Sequence, residues 1–170
     1  RIGRAVAKRA KAFNMEIHYH NRTKLSPDLE DGAIYHKDLK SLFEQSEFLS
    51  INCPATPETT KLVNKETLSY LKENTVIAVG GGAVSHKDSY ELLSSKHCIY
   101  LKTSKNILLD RLKEDNSRPL LNFQNKDEVL EEIMLKREKK YEALCKSEVV
   151  TDNQTIQDNC NQIMEIINVQ

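Results

Sequence analysis

Residues 75–84 read TVIAVGGGAV, and the rest of the chain is organised around this stretch. Four apolar residues, Val76–Val79, run directly into Gly80, Gly81 and Gly82, which are three of the five glycines in the chain. An apolar run of this length that ends in glycines is typical of a buried parallel strand. Residues without a Cβ atom allow positive φ and let a bound molecule approach the main chain closely. The stretch therefore predicts a strand that delivers its backbone to a ligand.

Bulk composition indicates a soluble, rather polar globular protein. The 170 residues carry 29% charged and 39% hydrophobic side chains and a formal net charge of zero, and the mean hydropathy is −0.57. Zero net charge does not favour a nucleic-acid or membrane-surface partner. No apolar run approaches the roughly 18–20 residues that a membrane span needs, and no signal peptide is visible.

Cysteine and histidine usage points to a reduced compartment and to no metal site. The four cysteines are widely spaced and form no CxxC pair, which predicts reduced thiols in a cytoplasmic protein. The five histidines are scattered, and none belongs to an HExxH pattern, so we expect surface or strand-end roles for them. The chain starts at Arg1, without Met, inside a helical pattern, and we expect it to be a fragment of a longer reading frame.

Hydrophobic periodicity predicts alternating helices and strands along the whole chain. In the first half we expect helices over 1–13, 36–45 and 65–71, strands over 15–20, 33–35, 47–53 and 76–79, a loop over 23–32 and a short helical turn over 57–62. In the second half we expect helices over 87–94, 103–113, 126–145 and 155–169, and strands over 97–102 and 147–151. Such alternation predicts an α/β fold with a parallel sheet covered by helices.

The first half resembles the nucleotide-binding domain of the D-isomer-specific 2-hydroxyacid dehydrogenases. RIGRAVAKRAKAF, from residue 1, is similar to the end of that family's GxGxxG turn and its first helix, with Gly3 at the third glycine. MEIHYHNR, from residue 15, is similar to the second strand with its cofactor-selecting tip, and SINCPATPETTKLVN, from residue 50, to the loop after the fourth strand. The resemblance covers residues 1–78 and implies that NAD(P) contacts Arg1, Ile2, Gly3, Asn21, Arg22 and Thr23.

The strand tip leaves the choice of cofactor open. Where an acidic residue would hold the ribose hydroxyls of NAD, this chain has Asn21 and Arg22, an exchange that favours the 2′-phosphate of NADP. An ordinary strand-end turn is the alternative interpretation of the same two residues. The family's catalytic residues lie beyond the part that this resemblance covers, so none is assigned here.

Residues 76–170 resemble the C-terminal half of shikimate kinase. VIAVGGGAV is similar to the strand and glycine triplet that line the shikimate site, SRPLL to the mobile lid, KREKKYEAL to the helix after the lid and VVTDNQT to the last strand and adenine-side loop. The resemblance implies that Gly80–Gly82 face the substrate ring, that Arg118 closes over the phosphates during transfer, that Arg137 pairs with the shikimate carboxylate and that Gln154 contacts adenine. A bidentate guanidinium suits a carboxylate. A plain loop arginine at 118 and a solvated helix charge at 137 are the alternatives.

Both resemblances are incomplete at the phosphate-binding strand. The pattern G-x-x-x-x-G-K-[ST] occurs nowhere in the 170 residues, so the backbone cradle and phosphate lysine of a kinase are missing. The dehydrogenase's first strand and first two glycines are also absent. We therefore expect a doubly wound, mostly parallel sheet of about six strands that lacks its central first strand. Its two inner edges either pair directly or stay open, and an open apolar edge favours self-association.

Three hypotheses about function remain. The chain is a relic of shikimate kinase with part of its acceptor site, a dehydrogenase fragment that binds NADP weakly, or an inactive fusion created by gene deletion or faulty assembly of the coding sequence. By resemblance, the cofactors are ATP with Mg²⁺ or NAD(P), and we expect neither to bind tightly. The segments 1–78 and 76–170 are predicted to form one compact unit.

Overall fold

The computed structural model describes residues 2–54, 56–113 and 125–168. By its internal contacts the chain divides into two compact units, Arg1–Ser89 and Tyr90–Gln170. Each unit is built from short parallel strands and helices, in agreement with the predicted α/β class. No helix within these described ranges is long and apolar enough to cross a membrane.

The first unit alternates helices and strands in the predicted order. Its elements are α1 (Ile2–Lys11), β1 (His18–Tyr19), α2 (Pro27–Glu30), β2 (Ile34–Tyr35), α3 (Leu39–Gln45), β3 (Phe48–Ser50), α4 (Lys65–Ser69), β4 (Val76–Ala78) and a 3₁₀ turn (Ala83–Ser85). Side-chain caps fix two of the helix starts. Asp38 accepts a hydrogen bond from the backbone of Ser41 at 2.8 Å, and Asn64 forms a reciprocal capping box with Thr67.

The second unit has fewer and longer elements. α5 (Lys87–Ser94) crosses the boundary between the units, and it is followed by β5 (Ile99–Lys102), α6 (Lys105–Leu112), α7 (Lys126–Leu144), β6 (Ser147–Val150) and α8 (Ile156–Asn168). The observed ends of α5 match the predicted ones. The predicted strand over 15–20 is reduced to two residues, a short helix forms within the loop predicted over 23–32, and residues 57–61 form turns instead of a helix.

The six described strands form three separate parallel pairs, so the prediction of one six-stranded sheet is not confirmed. β1 pairs with β2, β3 pairs with β4, and β5 pairs with β6. In a doubly wound sheet the first strand lies between the second and the fourth, and by resemblance those two strands are β1 and β3. No described strand lies between them, so the two pairs have no common neighbour to join them into one sheet.

Each unit has a small buried core. In the first unit Phe43, Leu49, Val63 and Val84 are buried, and Phe43 is only 2% exposed. Helix α1 contains no buried residue, and on the strands Phe48 is 62% exposed. In the second unit Leu112 and Leu130 pack with neighbouring apolar side chains of α6 and α7. Strand faces that helices would cover in a complete doubly wound sheet are therefore partly exposed.

Candidate functional site

The glycine turn after β4 offers its main chain to solvent. Gly80 has φ +72°, and a Cβ atom built on Gly80 or on Gly82 would meet nothing within 4 Å. The backbone N–H of Ala83 donates to the Gly80 carbonyl at 3.3 Å, and that of Ser85 donates to the Gly82 carbonyl at 3.0 Å. Gly81 is exposed like its two neighbours. Glycine is favoured at position 80 because its φ lies in the left-handed region, and a ligand has room to reach this backbone.

The N-terminal turn of α1 lies beside the carboxyl end of β3. A Cβ atom on Gly3 would lie 3.8 Å from both Cβ and Nδ2 of Asn52, which is ordinary van der Waals contact. Asn52 follows β3 closely, and its Nδ2 donates to Ser50 Oγ at 2.9 Å. Ile2 is exposed in the same turn, and Arg1 is outside the described residues. Backbone N–H groups at a helix N-terminus attract anions, so this edge suits a phosphate.

The tip of β1 is solvent-exposed. Asn21, Arg22 and Thr23 are all exposed, and the Asn21 carbonyl accepts a hydrogen bond from the Tyr35 hydroxyl at 3.3 Å. The pKa of the Glu58 carboxyl is lowered by hydrogen bonds from Thr56 and from its own backbone, and by the charge of Arg22. The structure therefore brings Arg22 within electrostatic range of the turn that follows β3.

That turn is held by its own threonines. The Thr59 hydroxyl donates to the Pro54 carbonyl at 2.5 Å, and the Thr56 backbone donates to Thr59 Oγ1 at 2.8 Å. The Thr60 hydroxyl donates to the Thr56 carbonyl at 2.6 Å. These hydrogen bonds join residues of the turn to one another, so the turn is preorganised. It lies after the carboxyl end of β3, and ligands bind at the carboxyl ends of strands in open α/β sheets.

The candidate kinase residues are divided between the two units. Arg137 is half-buried on α7, and Gln154 is exposed, with its Oε1 accepting a hydrogen bond from Gln162 Nε2 at 2.7 Å. Both lie in the second unit, whereas Gly80–Gly82 lie in the first. Arg118 falls outside the described residues. A joint acceptor site made of these residues stays a prediction.

A polar cluster at the carboxyl ends of β5 and β6 was not singled out from the sequence. The hydroxyls of Thr103 and Thr151 are 2.6 Å apart, and the Ser104 backbone donates to Asp152 Oδ1 at 2.9 Å. Arg111 Nη2 donates to the Thr151 carbonyl at 3.2 Å. The hydrogen bonds from Ser104 lower the pKa of Asp152. The signal for this cluster was available, because short polar residues directly follow both strands.

Metal-ligating side chains do not converge in the part of the chain that the structure describes. Within it, no group of three His, Cys, Asp or Glu side chains could hold a metal ion. The four cysteines are free thiols, and Cys53 and Cys160 are exposed.

Two family models match the chain, and they overlap. The model for the D-isomer specific 2-hydroxyacid dehydrogenase NAD binding domain matches residues 1–103. The model for shikimate kinase matches residues 61–168. The first range extends beyond residue 78, the second begins before residue 76 and ends at residue 168, and the two share residues 61–103.

Curated relatives fall into the same two groups. Formate dehydrogenase 2, mitochondrial, from Oryza sativa subsp. japonica is 37% identical over 87 residues, which cover 49% of this chain and 23% of that protein. The glyoxylate reductase of Thermococcus litoralis is 36% identical over 77 residues, which cover 45% of this chain and 23% of that protein. The shikimate kinase of Francisella philomiragia is 38% identical over 93 residues, which cover 54% of this chain and 53% of that protein. The chain thus spans about a quarter of the first two relatives and about half of the third.

Solved structures support the α/β fold. The shikimate kinase from Acinetobacter baumannii, in complex with shikimate, aligns with a TM-score of 0.59 at 21% identity, covering 98% of this chain and 87% of that one. D-lactate dehydrogenase from Escherichia coli aligns with a TM-score of 0.50 at 26% identity, covering 66% of this chain and 38% of that one.

Proposed function

Because residues 1–103 belong to the D-isomer specific 2-hydroxyacid dehydrogenase family, as its NAD binding domain, and residues 61–168 to the shikimate kinase family, we propose that the chain is a fusion of two partial enzymes. The fusion catalyses neither parent reaction. It retains ligand-binding surface from each parent. The kinase-derived part keeps positions for a shikimate-like acceptor, and the dehydrogenase-derived part keeps one wall of a dinucleotide cleft.

The separation of the strands into three pairs carries this proposal. Phosphoryl transfer and hydride transfer both depend on a phosphate group held at the end of a central strand, by backbone N–H groups of a glycine-rich turn. Neither β1 nor β3 has such a strand beside it among the described residues. Within the 170 residues, no G-x-x-x-x-G-K-[ST] loop supplies one for the kinase.

Residual acceptor binding is the function that the kinase-derived residues favour. The open main chain at Gly80 and Gly82 leaves room for a sugar-like ring. The Arg137 guanidinium is half-buried on α7, and the described residues offer it no carboxylate partner within ion-pair distance. A guanidinium in this condition is available to a ligand carboxylate, which it binds through two parallel hydrogen bonds.

We expect weak, carboxylate-dependent binding of shikimate in the millimolar range. Replacing Arg137 by alanine (Arg137→Ala) should weaken binding by about tenfold or more, because a hydrogen bond to a charged group contributes about 1.5–3 kcal/mol. Titration of ¹⁵N-labelled protein, followed by amide chemical shifts, measures both dissociation constants.

Lys139→Ala is the matched control for that titration, since Lys139 is an exposed cation on the same helix. It should leave the dissociation constant unchanged. No shift perturbation at millimolar shikimate, or an equal loss in both variants, would remove the acceptor-site assignment.

The alternative is an NAD(P)-dependent oxidoreductase fragment of the glyoxylate or hydroxypyruvate type. Two observations are in its favour: the charge of Arg22 acts on Glu58 in the turn after β3, and Gly3 at the start of α1 lies beside Asn52 at the carboxyl end of β3. An arginine at the end of β1 suits a 2′-phosphate, so this alternative favours NADP over NAD.

We expect this edge to bind NADPH more tightly than NADH. Arg22→Ala should abolish the preference, since it removes the cation that would pair with the 2′-phosphate. Arg9→Ala, which removes an exposed arginine of α1 in the same unit, should preserve it. Enhancement of nicotinamide fluorescence during titration reports binding, and an unchanged signal with both nucleotides would dismiss the oxidoreductase alternative.

The remaining parts of the proposal follow from composition and open edges. We propose a cytoplasmic protein whose partners are shikimate-like acids and nucleotides, with no tightly bound cofactor and no nucleic-acid partner. The segments 1–78 and 76–170 are the proposed parental pieces. Unpaired strand edges promote association between copies of a chain. We therefore predict that this chain self-associates through its open strand edges.

A further inference from the structure

His36, the residue after β2, uses all four of its polar groups in hydrogen bonds, three of them to β1 or to the residue that follows it. Its backbone N–H donates to the Tyr19 carbonyl at 2.8 Å, and its carbonyl accepts from His20 Nδ1 at 2.9 Å. Its ring Nε2 lies 2.7 Å from His18 Nδ1, and its ring Nδ1 lies 3.0 Å from Ser41 Oγ. Four hydrogen bonds thus meet at one residue.

These bonds matter because the strand pair is very short. β1 and β2 pair through only two residues each, His18 with Ile34 and Tyr19 with Tyr35. A two-stranded pair of this length is marginal by backbone bonding alone. The contact between the His18 and His36 rings, whose centroids are 5.0 Å apart, therefore adds to the few backbone bonds and to the contact between the Tyr19 and Tyr35 rings.

The hydrogen-bond chain has room for one extra proton. His18 Nε2 lies 2.7 Å from Glu16 Oε1, so this nitrogen carries a hydrogen that it donates to the carboxylate. With both rings neutral, His36 Nε2 donates to His18 Nδ1. With one imidazolium, either ring can supply the hydrogen between them; in both cases Glu16 accepts from His18 Nε2 and Ser41 Oγ accepts from His36 Nδ1. Every bond survives the first protonation.

A second proton on the His18–His36 pair cannot be accommodated without losing a hydrogen bond. Two imidazolium rings would each point an N–H at the other across 2.7 Å, because both nitrogens of a charged histidine are donors. Their hydrogen bond would be lost and replaced by repulsion between two like charges.

Neighbouring charges reinforce this limit. Partial burial and then the charge of His18 lower the pKa of His36, and His20 acts in the same direction. Asp38, at the start of α3, is the opposing influence that raises it. The charged groups that act on His36 are thus His18 of β1, His20 directly after β1, and Asp38 at the N-cap of α3.

We propose that the His18–His36 pair is a pH-sensitive lock, which stabilises the pairing of β1 with β2 while it carries at most one proton and loses its ring–ring hydrogen bond when it takes up a second. This proposal does not depend on which cofactor or acceptor the chain binds.

The direction of the pH effect follows from proton counting. An unfolded chain protonates both histidines below their ordinary pKa of about 6.5, whereas the folded pair accepts only one proton. The contribution of the lock is therefore complete above about pH 6.5 and is lost as the pH falls below that value. One proton of difference corresponds to a roughly tenfold rise in the unfolding equilibrium constant between pH 7.5 and pH 5.5.

Urea unfolding of the full chain at pH 7.5 and pH 5.5 tests the lock, with His18→Gln as the variant. A glutamine amide can still bond to His36 but takes up no proton, so the tenfold acid sensitivity attributed to the pair should disappear. His86→Gln, which removes an exposed histidine of the same unit, should keep it. Undiminished sensitivity in His18→Gln, or an equal reduction in His86→Gln, overturns the proposal.

Direct titration of the unaltered chain covers the case in which His18→Gln fails to fold. The ring Cε1–H signals of the five histidines, followed by NMR from pH 8 to pH 5, count the protons taken up by each ring. We expect His18 and His36 together to bind one proton while the chain stays folded. Two full protonations above pH 5 with unchanged amide signals of β1 and β2 would contradict the lock.

Discussion

Phosphoryl transfer from ATP to shikimate is expected to run no faster with the chain than without it. Transfer of a γ-phosphoryl group depends on positioning and on neutralising charge around the phosphate oxygens and Mg²⁺. Removing one preorganised donor typically slows catalysis by about 10²–10³-fold, and the 170 residues contain no G-x-x-x-x-G-K-[ST] loop at all. The residues that we propose for the acceptor side cannot replace that loop, because they would lie at the other end of the reaction.

Formation of shikimate phosphate, followed by ³¹P NMR at millimolar ATP, Mg²⁺ and shikimate, measures this expectation. A complete shikimate kinase serves as the positive control for the assay. Product above the uncatalysed background that is lost in Arg118→Ala would contradict the proposal, since it would require a phosphate site elsewhere in the chain. Background turnover together with measurable shikimate binding is the combination that we expect.

Replacing Phe43 by alanine is expected to destabilise the first unit by about 3–5 kcal/mol. Phe43 lies on α3 and is 2% exposed, which makes it one of the most deeply buried side chains of the described residues. Truncation removes the burial of its ring and leaves a cavity. Because small domains are stable by only about 5–15 kcal/mol, this loss is a large fraction of the total.

Phe48→Ala is the matched control for Phe43→Ala. Phe48 is the same residue type in the same unit, but it is 62% exposed on β3, so we expect a change within about 0.5 kcal/mol. Denaturant unfolding read from amide signals of residues 2–89 measures both variants without interference from the second unit. Equal destabilisation by the two substitutions would contradict the observed packing of α3.

Elements whose signals are local could be predicted from the sequence. The bounds of α5 match at both ends, and Asn64 caps α4 from the position directly before the helix. β4 forms within the apolar run that was expected to be a strand, but its end residues Val76 and Ala78 are exposed, so the expected burial is wrong for them. Such features depend on the period of apolar residues and on side chains that bond to backbone groups a few residues away.

Features that depend on distant partners could not be predicted in the same way. His18 and His36 are separated by 18 positions, and their contact arises only because β1 and β2 pair in parallel register. The histidines looked scattered in the sequence for this reason. Arg111 and Thr151 are likewise 40 positions apart, and the geometry at the ends of β5 and β6 joins them.

For the stretch TVIAVGGGAV, the sequence by itself determined the strand Val76–Ala78 and a glycine turn after it, because apolar runs and missing Cβ atoms act locally. Only the tertiary structure decided what that strand joins. It pairs with β3 alone, and the six described strands remain in three pairs. A strand's neighbours are chosen by hydrogen bonds and buried faces supplied from elsewhere in the chain, and the central strand that would unite these pairs is not among the described residues.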